Sequence, residues 1–154
     1  MTDEPTLGEA LVREVSRAAG EPVEAAAGGL VASADVVGSG PYGAEIRGVR
    51  VTGGARAVRD VVDALASGLE FLPEPVEPFE VGDTRGILRT RRSAVLDREY
   101  YEVSVEDGVV DFARYRGALG GGRERLSDNF GHRSIERLVD AVAGAVTEPP
   151  DEEW

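Results

Sequence analysis

The stretch Glu99 to Arg116, EYYEVSVEDGVVDFARYR, restricts the fold more than any other part of the chain. Two runs of β-favouring residues flank Asp107-Gly108, a pair that supplies the positive φ of a tight two-residue turn. The turn fixes a register. With Glu106 opposite Val109, Val105 faces Val110 and Val103 faces Phe112 on one side, while Ser104 meets Asp111 and Glu102 meets Ala113 on the other. One face is apolar and the other mostly polar, so the sheet needs helices over its dry side.

Three amphipathic segments can provide them. Thr6 to Ala19 has Thr6 and Glu9 in capping-box spacing, Leu7, Leu11, Val15 and Ala18 on one face, and Gly20 then Pro22 as stops. Gly54 to Leu69 carries Val58, Val61, Val62, Leu65 and Leu69 on one face. A third helix follows the loop GALGGGRERLSDN, with Asp128 and Asn129 as N-cap candidates and Ile135, Leu138, Val139, Val142 and Val146 as its stripe. Those five positions match the second helix at a constant offset, which biased composition explains more readily than duplication does, since the flanking strands do not align.

Between the helices, Leu30 to Val37 and Ala44 to Thr52 read as strands, with Gly48 interrupting the second as a bulge would. Residues 71 to 79, FLPEPVEPF, read as a stiff extended strap, because each Pro fixes φ and biases its predecessor away from helix. A short hairpin around Gly82-Asp83 lies within Glu80 to Arg91. The expected fold is therefore α+β: an antiparallel sheet of about 5–6 strands covered by three helices, in the order α-β-β-α-β-β-β-β-α. That order resembles roadblock and longin-like domains, in which a central antiparallel sheet carries helices and often pairs with a second copy. One domain over residues 1–147 and an acidic, disordered tail over 148–154 complete the expectation.

Composition removes several chemistries. The chain has no Cys, so disulfides, thiolate nucleophiles and Cys-based zinc sites are excluded. No apolar run approaches the ~20 residues of a membrane span, and the N-terminus is acidic where a signal peptide is basic, so the expected location is the cytoplasm. The 29 acidic residues outnumber 17 basic ones, all Arg, for a net charge of −12. This acidic, Lys-free composition resembles that of proteins from extreme halophiles, whose surface repulsion molar salt screens. The same charge argues against nucleic acid as a partner.

Three constellations could carry chemistry. Gly38, Gly40 and Gly43 in DVVGSGPYGAE fit GxGxxG and resemble the phosphate-binding turn of flavin- and nicotinamide-dependent oxidoreductases, a resemblance that implies a following helix and a dinucleotide. Here the turn leads into Ile46, Val49 and Val51, which favours a strand, a Gly-rich hairpin loop and no cofactor. His132 is the only imidazole, near Ser127, Asp128 and Ser134, and a residue at the start of a helix is more simply a loop-end residue than a base. The Arg-rich strand offers an anion site, with Arg89, Arg91, Arg92, Arg114 and Arg123 as its candidate ligands. Neighbouring Glu99, Glu102 and Glu124 are the competing partners. No acidic cluster has metal-ligand spacing, so no metal site is expected. Trp154, after three acids, would suit a docking tail.

With no convergent catalytic set, the sequence favours a non-enzymatic protein-interaction or regulatory module that pairs with itself or with another protein. The alternative is a small-molecule, nucleotide or anion-binding protein, enzymatic or not, that uses the Arg-rich strand and the Gly-rich loops.

Overall fold

The computed structural model describes residues 4–72, 74–90, 99–117 and 120–147. Arg91, Arg92, Pro73 of the strap, and the tail with Trp154 lie outside them.

The first helix, α1 (Leu7–Arg17), opens with both bonds of the capping box: Thr6 Oγ1 accepts from the Glu9 amide at 3.1 Å, and Glu9 Oε1 accepts from the Thr6 amide at 3.2 Å. Three strands follow as a meander: β1 (Pro22–Ala27), β2 (Leu30–Ser39) and β3 (Gly43–Thr52). Then come α2 (Val58–Gly68), a second meander of β4 (Val76–Val81), β5 (Arg85–Thr90), β6 (Glu99–Glu106) and β7 (Val109–Gly117), the short β8 (Arg123–Leu126) and β9 (Asp128–Gly131), and finally α3 (His132–Val146). Neighbouring strands pair antiparallel throughout, in the order β1-β2-β3-β7-β6-β5-β4. The two meanders meet at β3 and β7, and α2 and α3 each follow one of these central strands, the latter after β8 and β9.

The sheet is larger than expected. Among the described residues it has nine strands where about 5–6 were predicted, and the element order differs accordingly. Alanines at 25, 26 and 27 hide β1 from propensity reading, but Gly28 and Gly29, at φ 60° and 81°, close it onto β2 in a tight turn. Residues 76 to 78, expected as part of the strap, pair with β5, and Phe79 is the extra residue where the register shifts before Glu80; an edge strand tolerates Pro78 because only one side needs its donors. The supposed loop after Gly122 is β8 and β9. Together they enter a split in the sheet: β3 pairs with β7 through Val49 to Thr52 and with β9 through Gly43 to Ile46, and β8 pairs with the outer half of β7. Asp128 and Asn129 consequently lie in β9, and the N-cap of α3 is Gly131, without a side-chain cap bond.

The hairpin register is as predicted, from Glu106 opposite Val109 to Glu102 opposite Ala113, with Gly108 at φ 74°. The Gly48 bulge is also present, since Ala34 pairs with Val49 and Val36 with Ile46. All three helices lie on one face, with α3 between α1 and α2. Their predicted stripes are buried against Val103, Val105, Val110 and Phe112 in one core. Two glycines set the depth of this layer. A Cβ on Gly8 would overlap the Glu136 carbonyl oxygen of α3, and one on Gly86 would lie 2.5 Å from Val62 of α2. None of these helices, among the described residues, is long and apolar enough to cross a membrane.

Candidate functional site

Strand alternation in β6 turns Tyr100, Glu102 and Ser104 away from the helices. Glu102 is only 3% exposed there, because Arg89 of β5 and Arg123 of β8 converge on its Oε1, each at 2.8 Å. Aromatic faces hold the two guanidinium groups. Arg89 lies 4.1 Å from the Phe79 ring centroid and 5.1 Å from that of Tyr100, and Arg123 lies 3.8 Å from that of Tyr115. Burial pulls the Glu102 carboxyl upward, but the hydrogen bonds from Arg123 and Arg89 outweigh it and leave the group below the usual carboxylate range.

On the helix side, a second network joins the ends of β6, β7 and β9. Arg114 donates to Asp128 and to Glu99, both at 3.0 Å, and Arg116 donates to Glu99 at 2.8 Å. The Tyr101 hydroxyl donates to Asp128 Oδ2, and burial followed by that bond pushes the phenol well above its ordinary value. Its ring stacks on Phe112 at 5.3 Å and meets the edge of Phe130 at 6.1 Å. The cavity beside this network, at the split between β3 and β7, measures about 10 Å³, room for one water and no metabolite.

The three described arginines of the expected anion site are therefore occupied by the protein's own acids, and they divide between the two faces of the sheet. Arg89 and Arg123 meet at Glu102, whereas Arg114 belongs to the other network.

Gly38, Gly40 and Gly43 form the β2–β3 connection, closed by the Gly40 amide on the Gly43 carbonyl at 2.8 Å. The chain continues into β3, so the loop does not itself open a helix as the dinucleotide turn does; the helix N-terminus beside it belongs to α3. Gly43 serves packing instead, since a Cβ there would overlap the Phe130 carbonyl oxygen. His132 stands behind this loop, its amide donating to Tyr42 O at 2.9 Å, and its Nε2 is buried without a hydrogen-bond partner among the described residues. Its expected companions are engaged elsewhere: Ser127 donates to Glu45, and Asp128 accepts from Tyr101 and Arg114. Among the described residues no group of three or more His, Asp and Glu could hold a metal ion.

Arg125 was not among the candidate anion ligands. This residue stands opposite Tyr115 on the outer face and reaches the β3 bulge, where its Nε donates to Arg47 O at 2.8 Å. Its guanidinium fills the space that a Gly48 side chain would take. The only signals in the sequence were the glycine itself and an arginine two positions from Arg123; the contact spans 78 residues.

No family model, curated protein or solved structure matches this chain.

Proposed function

We propose that this chain is a non-enzymatic interaction module that takes an extended segment of a protein partner along β4. The observation carrying this reading is the state of that strand. β4 ends the sheet, its outer edge has no partner among the described residues, and Phe79 and Val81 stand 63% and 39% exposed on it. An edge strand with apolar side chains is a template for β-augmentation, in which main-chain bonds give affinity and alternate side chains give selectivity.

Residue chemistry narrows the partner. The strand carries Glu77, Glu80 and no base, and Pro78 removes one donor. Antiparallel pairing with a second copy centred on Pro78 and Phe79 would set Glu77 against Glu80, which like charges disfavour. An extended segment alternating apolar and basic residues avoids the like-charge clash, loses only the one bond that Pro78 cannot donate, and suits the net charge of −12. Self-pairing, the other expectation from the sequence, becomes the competing outcome.

The test is an amide titration with a synthetic peptide of alternating valine and arginine. Support would be shifts concentrated in Val76 to Val81 and a loss of affinity of roughly tenfold in Phe79→Asp, with the folded amide pattern around Arg89 and Glu102 retained in the variant. Shifts scattered over the surface, or indifference to Phe79→Asp, would overturn the reading. A concentration-dependent dimer in sedimentation, abolished by the same substitution, would transfer the edge to a second copy.

A further inference from the structure

The geometry points to a small-ligand site on the outer face of the sheet, at the β3 bulge, that takes an amino-acid-like zwitterion. The groove is lined by Ser33, Asp35, Gly48, Arg50, Asp111 and Arg125, and its volume is about 190 Å³. Pockets for drug-sized ligands run from about 300 Å³ upward, so this one suits a head group or a single amino acid.

Its charges are arranged unevenly. Arg50 gives both oxygens of Asp111 a hydrogen bond, Nε to Oδ1 and Nη2 to Oδ2, each 2.9 Å, and that pair is internally neutral. Arg125 differs from Arg89, Arg114, Arg116 and Arg123 in having no carboxylate within ion-pair distance among the described residues. The bond from Nε to Arg47 O and the seat on Gly48 fix its guanidinium in place. Nη2 rests on Gly48 and neither Nη1 nor Nη2 has a hydrogen-bond partner among the described residues, so the group keeps donors for a carboxylate with the ordering cost of a long side chain already met.

Asp35 supplies the opposite charge. It lies on β2, the neighbouring strand, where the register passes from Ala34 opposite Val49 to Val36 opposite Ile46, so it stands beside the bulge, roughly 5 Å away across the sheet. No arginine pairs with it among the described residues. Ser33, next on the same face, has a hydroxyl without a hydrogen-bond partner among the described residues. A groove holding one fixed cation and one carboxylate that do not close on each other is complementary to a molecule with a carboxylate and an ammonium a few bonds apart. A simple anion would leave Asp35 facing its negative charge.

Chemical-shift titration of the full chain with L-alanine, acetate and inorganic phosphate tests this. L-alanine should shift the amides of Ser33, Gly48 and Asp111 with an affinity on the order of millimolar, and acetate should bind roughly tenfold more weakly. Arg125→Gln should abolish both responses. Asp35→Asn, an exposed change that spares the fold, should erase the preference for L-alanine over acetate. Phosphate binding as tightly as L-alanine and surviving Asp35→Asn would overturn the zwitterion assignment, and so would the absence of shifts at these amides with every probe. Neither result bears on the β4 edge, whose residues lie on the other meander.

Discussion

Glu102 is the residue at which burial and charge are most tightly opposed. A carboxylate removed from water costs several kcal/mol unless neighbours restore what hydration supplied, and here two guanidinium donors on one oxygen do so. Replacing it with Gln keeps the volume and removes the charge, leaving Arg89 and Arg123 to share a neutral acceptor. Because both arginines are about a quarter to a third exposed, water recovers part of the loss, and the expected destabilisation is about 2 kcal/mol in urea unfolding at neutral pH. The pH dependence follows from the direction of the shift. A carboxyl held below its unfolded value contributes stability that is complete above that value, about 4.3, and is lost as pH falls through the lower folded-state value. The difference between the native chain and Glu102→Gln should therefore shrink below about pH 4. Parallel stability curves down to full acid unfolding would show that the pair contributes nothing specific.

Between elements, the decisive contact is the crossing of α1 over α3 at Gly8. Intrinsic propensity predicts that Gly8→Ala stabilises the helix by up to ~1 kcal/mol. The crossing predicts the reverse, because the new methyl overlaps the Glu136 carbonyl oxygen and lies 2.8 Å from Asp140 Oδ1. Asp140 also accepts from the Gly8 amide at 2.8 Å and from Thr6 Oγ1 at 2.9 Å, so a shift of α1 would strip its N-terminus of that acceptor as well. A net loss of roughly 2 kcal/mol is expected, and a higher thermal midpoint in Gly8→Ala would mean that the helices slide apart without penalty. Nothing in the sequence marks Gly8 as a crossing point, and this is typical of what could and could not be read. Signals confined to a few residues were legible: the Thr6 and Glu9 capping box, the Asp107-Gly108 turn with its register, and the buried stripes of α1, α2 and α3. Features that depend on distant partners were not. β1 exists because β2 pairs with it, and β8 and β9 exist because β3 and β7 part. Arg89, Arg114 and Arg123 were recognised as a basic group, but register decides that two of them share Glu102 while Arg114 turns to Asp128. Arg125 was left out of the candidate ligands because its partner, the Arg47-Gly48 bulge, is 78 residues away in the chain.

The whole molecule carries a net charge of −12, and its ion pairs do not cancel that excess. Self-repulsion of this kind acts over the Debye length, about 30 Å at 0.01 M salt, 10 Å at 0.1 M and 3 Å at 1 M. Adding KCl should therefore raise the thermal midpoint, steeply at first and then levelling as the screening length falls below the spacing of surface carboxylates. Contact pairs at Glu102 respond differently, since an acid that is 3% exposed with donors at 2.8 Å is little screened by mobile ions. The cost of Glu102→Gln should accordingly persist in about 1 M KCl even as the midpoint of both chains rises. These two behaviours separate general repulsion from local pairing. A midpoint unchanged between about 0.01 M and 1 M KCl would show that the acidic surface exerts no net strain on the fold, and the likeness to halophile proteins would then be one of composition alone.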